Sequence, residues 1–247
     1  MALSRRQKVT IISLLIYWPA IFVLGHIPIP RLVYQAGVSD KSLHFLAYLV
    51  LVFLLWFAIN PDRKVNWRRG TIWWVLLVVV LYGLADELLQ PLVGRTCDII
   101  DFLANVTGTF GGLVLLAFVT FWPALLVVTG VGVFLLTNLC RTNPADLLPV
   151  TSVMFYLFAY GFFTLLWIQY MNLSLSLKAP RPKWIFGALV LPIAFLLIVK
   201  LFSVILGRPF SVSNVLISAV GIAGVVVTIF LVTLFRRPCA QLRSGST

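Results

Sequence analysis

Acidic residues are scarce in this chain: Asp and Glu number seven among 247 residues, and charged residues of all kinds make up 11%. A disordered chain needs far more polarity to remain unfolded, so disorder is excluded. An ordinary soluble domain is excluded as well, because 61% of the residues are hydrophobic and the mean hydropathy is +1.06. The three cysteines show no Cys-x-x-Cys spacing, which removes a disulfide framework and a zinc knuckle from consideration. Cys97 and Cys140 are expected at outer helix ends and Cys239 on an inner tail, with pairing of the first two left open. Asn105-Val-Thr and Asn172-Leu-Ser match the glycosylation pattern, but the expected topology puts neither in an accessible outer loop.

What the chain has in abundance is long apolar runs. Eight of about 17 to 23 residues each approach the roughly 20 that a helix needs to cross hydrocarbon. They span Val9 to Ile27, Leu43 to Ile59, Thr71 to Leu92, Ile99 to Phe121, Pro123 to Leu139, Val150 to Met171, Trp184 to Leu206 and Ser213 to Phe235. Unalternating runs of this length do not suit barrel strands, so the expected fold is all-α, a polytopic membrane protein. Gly25-His26-Ile27-Pro28 follows the first run in place of a small-x-small cleavage site, so that run is read as a retained helix. Pro19 and Pro192 are expected to kink their helices, and aromatics near the run ends to anchor them at the interfaces.

The net charge of +12 is explained by topology. With the N-terminus cytoplasmic, the inner segments hold Arg5, Arg6, Lys8, Arg63, Lys64, Arg68, Arg69, Lys178, Arg181, Lys183, Arg236, Arg237 and Arg243. Arg31, Lys41, Arg95, Arg141, Lys200 and Arg208 fall to the outer side. That bias predicts both termini in the cytoplasm across an even number of helices. No nucleic-acid partner is needed, and anionic inner-leaflet lipid is the expected partner of the basic loops. Of the seven acids only Asp62 falls in an inner segment, so function is expected at the outer face.

Sliding the chain against itself by about 113 residues superposes Gly94-Arg95 on Gly207-Arg208, Gly108 on Gly221 and Gly111 on Gly224. Phe45-Leu46-Ala47-Tyr48 likewise resembles Leu157-Phe158-Ala159-Tyr160. We therefore expect a tandem duplication of two parallel four-helix halves, residues 1–121 and 122–247. Asp86, Glu87, Gln90, Asp101 and Asn105 align with Val199, Lys200, Ser203, Asn214 and Ser218, so the second half has lost the acids. It reads as a scaffold or partner for the first, and buried Lys200 is expected to pair with a first-half carboxylate.

Four of the acids, Asp86, Glu87, Asp98 and Asp101, lie within one short stretch with Gln90, Arg95 and Asn105. An acid at a helix centre costs roughly 2.5 to 3.5 kcal/mol on insertion scales, so a chain built to avoid them keeps them for a use. Asp40, Lys41 and His44 open the second helix, Asp86, Glu87 and Gln90 close the third before Pro91 and Gly94, and Asp98 and Asp101 open the fourth. Three helix ends are thus expected to converge at headgroup depth. Asp101, Asn105, Gly108 and Gly112 share one helical face, and Gly108-xxx-Gly112 permits a close neighbour there. Asp86 and Glu87 point about 100° apart, so they need not both face the site, and both are kept as candidates.

The chemistry of these residue types suggests roles. A partly desolvated Asp86 or Glu87 beside Asp101 suits a general acid or base, and His44 exchanges protons near neutral pH. Arg95 is the expected clamp for a phosphate or carboxylate, with Lys41, Gln90 and Asn105 beside it. The competing structural reading pairs Arg95 with Asp98 or Asp101, uses Asn105 as a helix-joining hydrogen bond and makes Asp40 and His44 a cap pair. His26 and His44 are metal-ligand types, but no tight spacing supports a site, so no metal and no cofactor is expected.

Asp40-Lys41 with His44-Phe45 and Tyr48, Tyr82-Gly83, Asp86-Glu87 and Gln90, and Arg95, Asp101, Asn105 and Gly108 together resemble the signature of the VanZ-like membrane protein family over about residues 1 to 120. Asp98 departs from that pattern, where a small polar residue is more usual. The resemblance implies a bacterial membrane protein, and a named member of the family raises resistance to the glycopeptide antibiotic teicoplanin. It implies no particular reaction. The expected function is an outward-facing site that binds or acts on an anionic envelope lipid or wall-precursor headgroup, in the bacterial cytoplasmic membrane. The alternatives are a lipid or solute transporter or flippase, which needs polar features near the midplane, and a non-catalytic partner of wall-synthesis proteins. Substrate, catalysis and oligomeric state are left open.

Overall fold

A computed structural model describes residues 3–27, 40–61, 63–138, 149–175, 179, 181–208 and 210–244. Arg31, Asp62, Cys140, Arg141 and Lys178, named above for topology or pairing, lie outside the described residues. Among these residues the regular structure is helical: α1 (Arg5–His26), α2 (Asp40–Ile59), α3 (Gly70–Leu89) continued by a 3-10 turn (Gln90–Val93), α4 (Ile99–Phe118), α5 (Phe121–Asn138), α6 (Pro149–Ser174), α7 (Pro182–Ile205) and α8 (Val212–Ser244). Each is long and apolar enough to cross a membrane, which makes this a multi-pass membrane protein.

The apolar runs locate the helices well, and the ends differ for a physical reason. Polar residues flanking a run join the helix when they satisfy its free terminal groups. Ser4 accepts a hydrogen bond from the Gln7 amide at 3.1 Å, so α1 begins at Arg5 and not at Val9. Asp40 occupies the first turn of α2, where the helix dipole favours an acid, so that helix begins three residues before Leu43. Asp98 caps α4 by accepting from the Ile100 amide at 2.8 Å. Pro91 and Gly94 do end α3: the chain tightens into the 3-10 turn and Gly94 takes φ 78°, a left-handed conformation that glycine adopts without strain. Pro19 and Pro192 lie inside α1 and α7.

The chain divides into two compact units, with α1 to α4 and most of α5 in the first and α6 to α8 in the second. In the first, α2 is the central helix, with Tyr48, Leu51, Val52, Trp56 and Phe57 all buried. It meets α4 at the two glycines of the Gly108-xxx-Gly112 pair. A β-carbon at Gly108 would run into the backbone carbonyl oxygen of Phe45, and one at Gly112 into Val52. The outward faces of α1 and α3 carry Leu15, Ile16, Leu81 and Leu88 exposed, as lipid-facing helices do. Between α2 and α3, Trp56 Nε1 donates to the Arg63 carbonyl at 2.7 Å and the Val65 amide to the Leu116 carbonyl at 2.9 Å. Arg63, Lys64, Arg68 and Arg69 border a cavity of about 840 Å³ beside that loop.

The second unit packs Ile168, Met171, Trp184, Ala188 and Val226 into its core. Asn172 accepts from Trp184 Nε1 at 3.3 Å, so its side chain serves packing between α6 and α7. Lys200 is buried, and its ammonium lies 4.8 Å from the centre of the Tyr156 ring, a cation–π contact. Aromatic cover offsets part of the cost of burying this lysine.

Candidate functional site

The ends of α1, α2, α3 and α4 bring Asp40, Lys41, His44, Asp86, Glu87, Gln90, Arg95, Asp98, Asp101 and Asn105 into one polar network. It has an outer layer of fixed ion pairs and an inner layer of buried, softer groups. In the outer layer, Lys41 Nζ donates to Asp98 Oδ2 at 2.9 Å and to Asp101 Oδ1 at 3.2 Å. Arg95 donates to Asp40 Oδ2 at 2.8 Å and to the Gly25 carbonyl at 2.8 Å, tying the α3–α4 link to α2 and to the end of α1. The Ile100 amide, and after it Lys41, hold the Asp98 carboxyl below the usual carboxylate range.

In the inner layer the His44 ring is the hub. Its Nδ1 lies 3.0 Å from Asn105 Oδ1 and 3.5 Å from Glu87 Oε1, while Nε2 faces Asp40 Oδ1 at 3.7 Å. Asn105 Nδ2 and Gln90 Nε2 each donate to Glu87 Oε1 at 3.4 Å. On the other side of α3, His26 Nδ1 stands 3.6 Å from Asp86 Oδ1 and 2.8 Å from the Phe22 carbonyl. A β-carbon at Gly25 would lie 3.6 Å from both carboxylate oxygens of Asp86, an ordinary van der Waals contact. Below the network, Tyr48 and Tyr82 pair with ring centres 5.9 Å apart, and the buried Tyr48 hydroxyl has no hydrogen-bond partner among the described residues.

Asp86 and Glu87 are both buried, at 5% and 1% exposure, because α3 is flanked by α1 on one side and by α2 and α4 on the other. Two faces 100° apart therefore both meet protein. Arg95 does not have its whole guanidinium free, since Asp40 and the Gly25 carbonyl take two of its five donors. Nor is it paired with Asp98 or Asp101, which belong to Lys41. The i, i+4 neighbours Asp40 and His44 do face each other, but Asp40 also holds Arg95, which no local reading shows.

Sequence reasoning underweighted His26 and did not place the Gly25 carbonyl or the Tyr48–Tyr82 pair in the site. A signal for His26 existed: it ends the first apolar run as the four-helix topology brings that run's outer end to Asp86. Cys97 is free and exposed beside the network, and Cys140 lies outside the described residues.

Over residues 9–126 the chain matches the family model VanZ/LLP1, a span that includes every residue of this network. The first unit therefore carries a VanZ-like domain. No curated protein and no solved structure matches the chain.

Proposed function

We propose that the VanZ-like unit binds and acts on the headgroup of an anionic envelope lipid or lipid-linked wall precursor. One observation carries the reading. A charged network lies at one end of four otherwise apolar spans, with Lys41 exposed over 45% of its side chain above the buried Asp86, Glu87, His44 and Asn105. An ammonium with three donors, two of them spent on Asp98 and Asp101, keeps one for a phosphate at the mouth. The deeper carboxylates and the imidazole are suited to moving a proton from or to a headgroup hydroxyl. In this reading the network faces outward, with both termini in the cytoplasm, as the distribution of basic residues predicts.

Parallels between the units support an ancient duplication. Gly207 takes φ 70° as Gly94 takes 78°, and the Arg208 amide donates to the Ser203 carbonyl as the Arg95 amide does to that of Gln90. A β-carbon at Gly221 would strike the Leu157 carbonyl oxygen, as one at Gly108 would strike that of Phe45. The second unit keeps this packing with Val199, Lys200 and Asn214 in place of the acids, which fits a scaffold.

The test replaces Lys41, Asp101 and Glu87 singly by Ala, Asn and Gln in cells challenged with teicoplanin. Membrane abundance is measured in parallel, and lipids and wall precursors are profiled by mass spectrometry. Loss of resistance together with a changed precursor profile at equal abundance is expected. Variants indistinguishable from the parent at equal abundance would sink the assignment.

A further inference from the structure

Among the described residues, two carboxylates of the network have no fixed cation. Arg95 is taken by Asp40 and the Gly25 carbonyl, and Lys41 by Asp98 and Asp101. Asp86 and Glu87 are left with imidazoles and amides, and the buried oxygens Asp86 Oδ1 and Glu87 Oε2 have no hydrogen-bond partner among the described residues. Buried carboxyl groups in that condition are neutralised by protons or by a bound metal. The donor atoms of His44, Asp86 and Glu87 lie within 4.8 Å of one another, and all three residues are buried.

We propose that His44, Asp86 and Glu87 hold a divalent transition-metal ion. The chemistry of the set selects the class, since an imidazole beside two carboxylates suits Zn²⁺, Mn²⁺ or Fe²⁺ more than Mg²⁺ or Ca²⁺. Ligands roughly 2.0 to 2.2 Å from Zn²⁺ stand about 3.5 Å apart, so from a spread of up to 4.8 Å the three side chains need to close by at most about 1.3 Å.

The surroundings fit as well. The Nδ1 edge of His44 faces Glu87 at 3.5 Å and Asn105 Oδ1 at 3.0 Å, a hydrogen bond that Nδ1 would give up on taking the ion, and its Nε2 edge is turned to Asp40 at 3.7 Å, which is itself anchored by Arg95 at 2.8 Å. A carboxylate behind the far nitrogen is what fixes the tautomer of a ligating imidazole and raises its basicity. Arg95 thereby acts on the ion through Asp40, as a positioning residue. A second grouping, Asp40, His44 and Asp101, is also close enough to hold an ion. Its two acids are already neutralised by Arg95 and Lys41, which leaves Asp86 and Glu87 with the greater need.

This goes beyond the headgroup reading, because the ion is measured with no lipid substrate present. Full-length protein is purified in detergent with a histidine-free tag, stripped with EDTA and offered Mn²⁺ or Zn²⁺ alone. Metal per chain is counted after gel filtration, and the Mn²⁺ form is examined by pulsed electron paramagnetic resonance for coupling to ¹⁴N. One equivalent with a histidine nitrogen coupled is expected. Glu87→Gln weakens binding by about tenfold or more. His44→Gln abolishes the nitrogen coupling, and Cys97→Ser changes nothing. The chain has two histidines, so coupling that survives His26→Gln assigns the nitrogen to His44 even if the His44 variant does not fold. Wild-type protein that takes up neither ion overturns the proposal. So does nitrogen coupling that persists in His44→Gln. Metal binding without any cellular phenotype of the site variants would retain the ion and discard the headgroup reading.

Discussion

Arg95 and Asp40 meet at 2.8 Å although 55 residues of sequence separate them. The pair closes the ring of helix ends, because the same guanidinium reaches the last turn of α1 through the Gly25 carbonyl. Arg95→Met should destabilise the protein by about 1.5 to 3 kcal/mol, the range for hydrogen bonds to charged groups. The lower end is expected because Asp40 is 37% exposed and water screens the pair. Arg95→Lys should recover only part, since a lysine cannot fork to two acceptors in the same geometry. Unfolding titrations in mixed detergent measure both.

The two glycines of α4 that lie three residues apart should respond oppositely to alanine. Gly108→Ala puts a methyl group against the Phe45 carbonyl and should cost about 1 to 3 kcal/mol, as overpacking does. Gly111→Ala meets nothing within 4 Å and should be neutral or stabilising by up to about 1 kcal/mol from helix propensity. Thermal unfolding of the two variants side by side checks the contrast.

Acid should act on the network through Asp98 in a defined window. Its carboxyl is held below its ordinary value of about 3.9, first by the Ile100 amide and then by Lys41. A depressed value means that the stabilising contribution is fully present above the ordinary value and is lost as pH falls through the depressed one. The stability difference between the parent and Asp98→Ala should therefore be flat from pH 7 to 5 and shrink below about pH 4. Unfolding of both proteins across that range measures it.

Lys200 should prove dispensable. Its ammonium rests on the Tyr156 ring, and burying a charge is costly, so Lys200→Met should leave stability unchanged or raise it. Lys200→Glu should lower it, because a carboxylate is repelled by the ring face. Melting temperatures of the two variants decide the point.

Orientation can be read from one thiol. Cys97 is exposed at the network end of the first unit, so in a Cys140→Ser, Cys239→Ser background it should react with an impermeant maleimide added outside intact cells. Labelling only after permeabilisation would reverse the proposed topology.

Hydropathy made the eight spans legible, because crossing hydrocarbon imposes length and composition directly on the sequence. The convergence of Lys41, Asp86, Asp101 and Asn105 was legible too, since polar residues at the ends of successive antiparallel helices must share a side. Pairings were not. Arg95 could be matched to nearby Asp98 or Asp101 by sequence distance, and only the packed helices show that Lys41 claims both, leaving Arg95 to Asp40. The burial of both Asp86 and Glu87 was hidden for a related reason. A residue's angular position on α3 says where it points, and the number of neighbours around α3 decides whether protein is there.

The five residues from Gly94 to Asp98 join two fixed points: a left-handed turn that ends α3 and a cap that starts α4. Arg95 must leave that segment within reach of both Asp40 and Gly25, and Asp98 must bind Ile100 and Lys41 at once. The link therefore works as a ruler, and its length matters as much as its side chains. One added glycine after Gly94 would alter no helix and remove no functional group, yet it would put the guanidinium and the cap out of step.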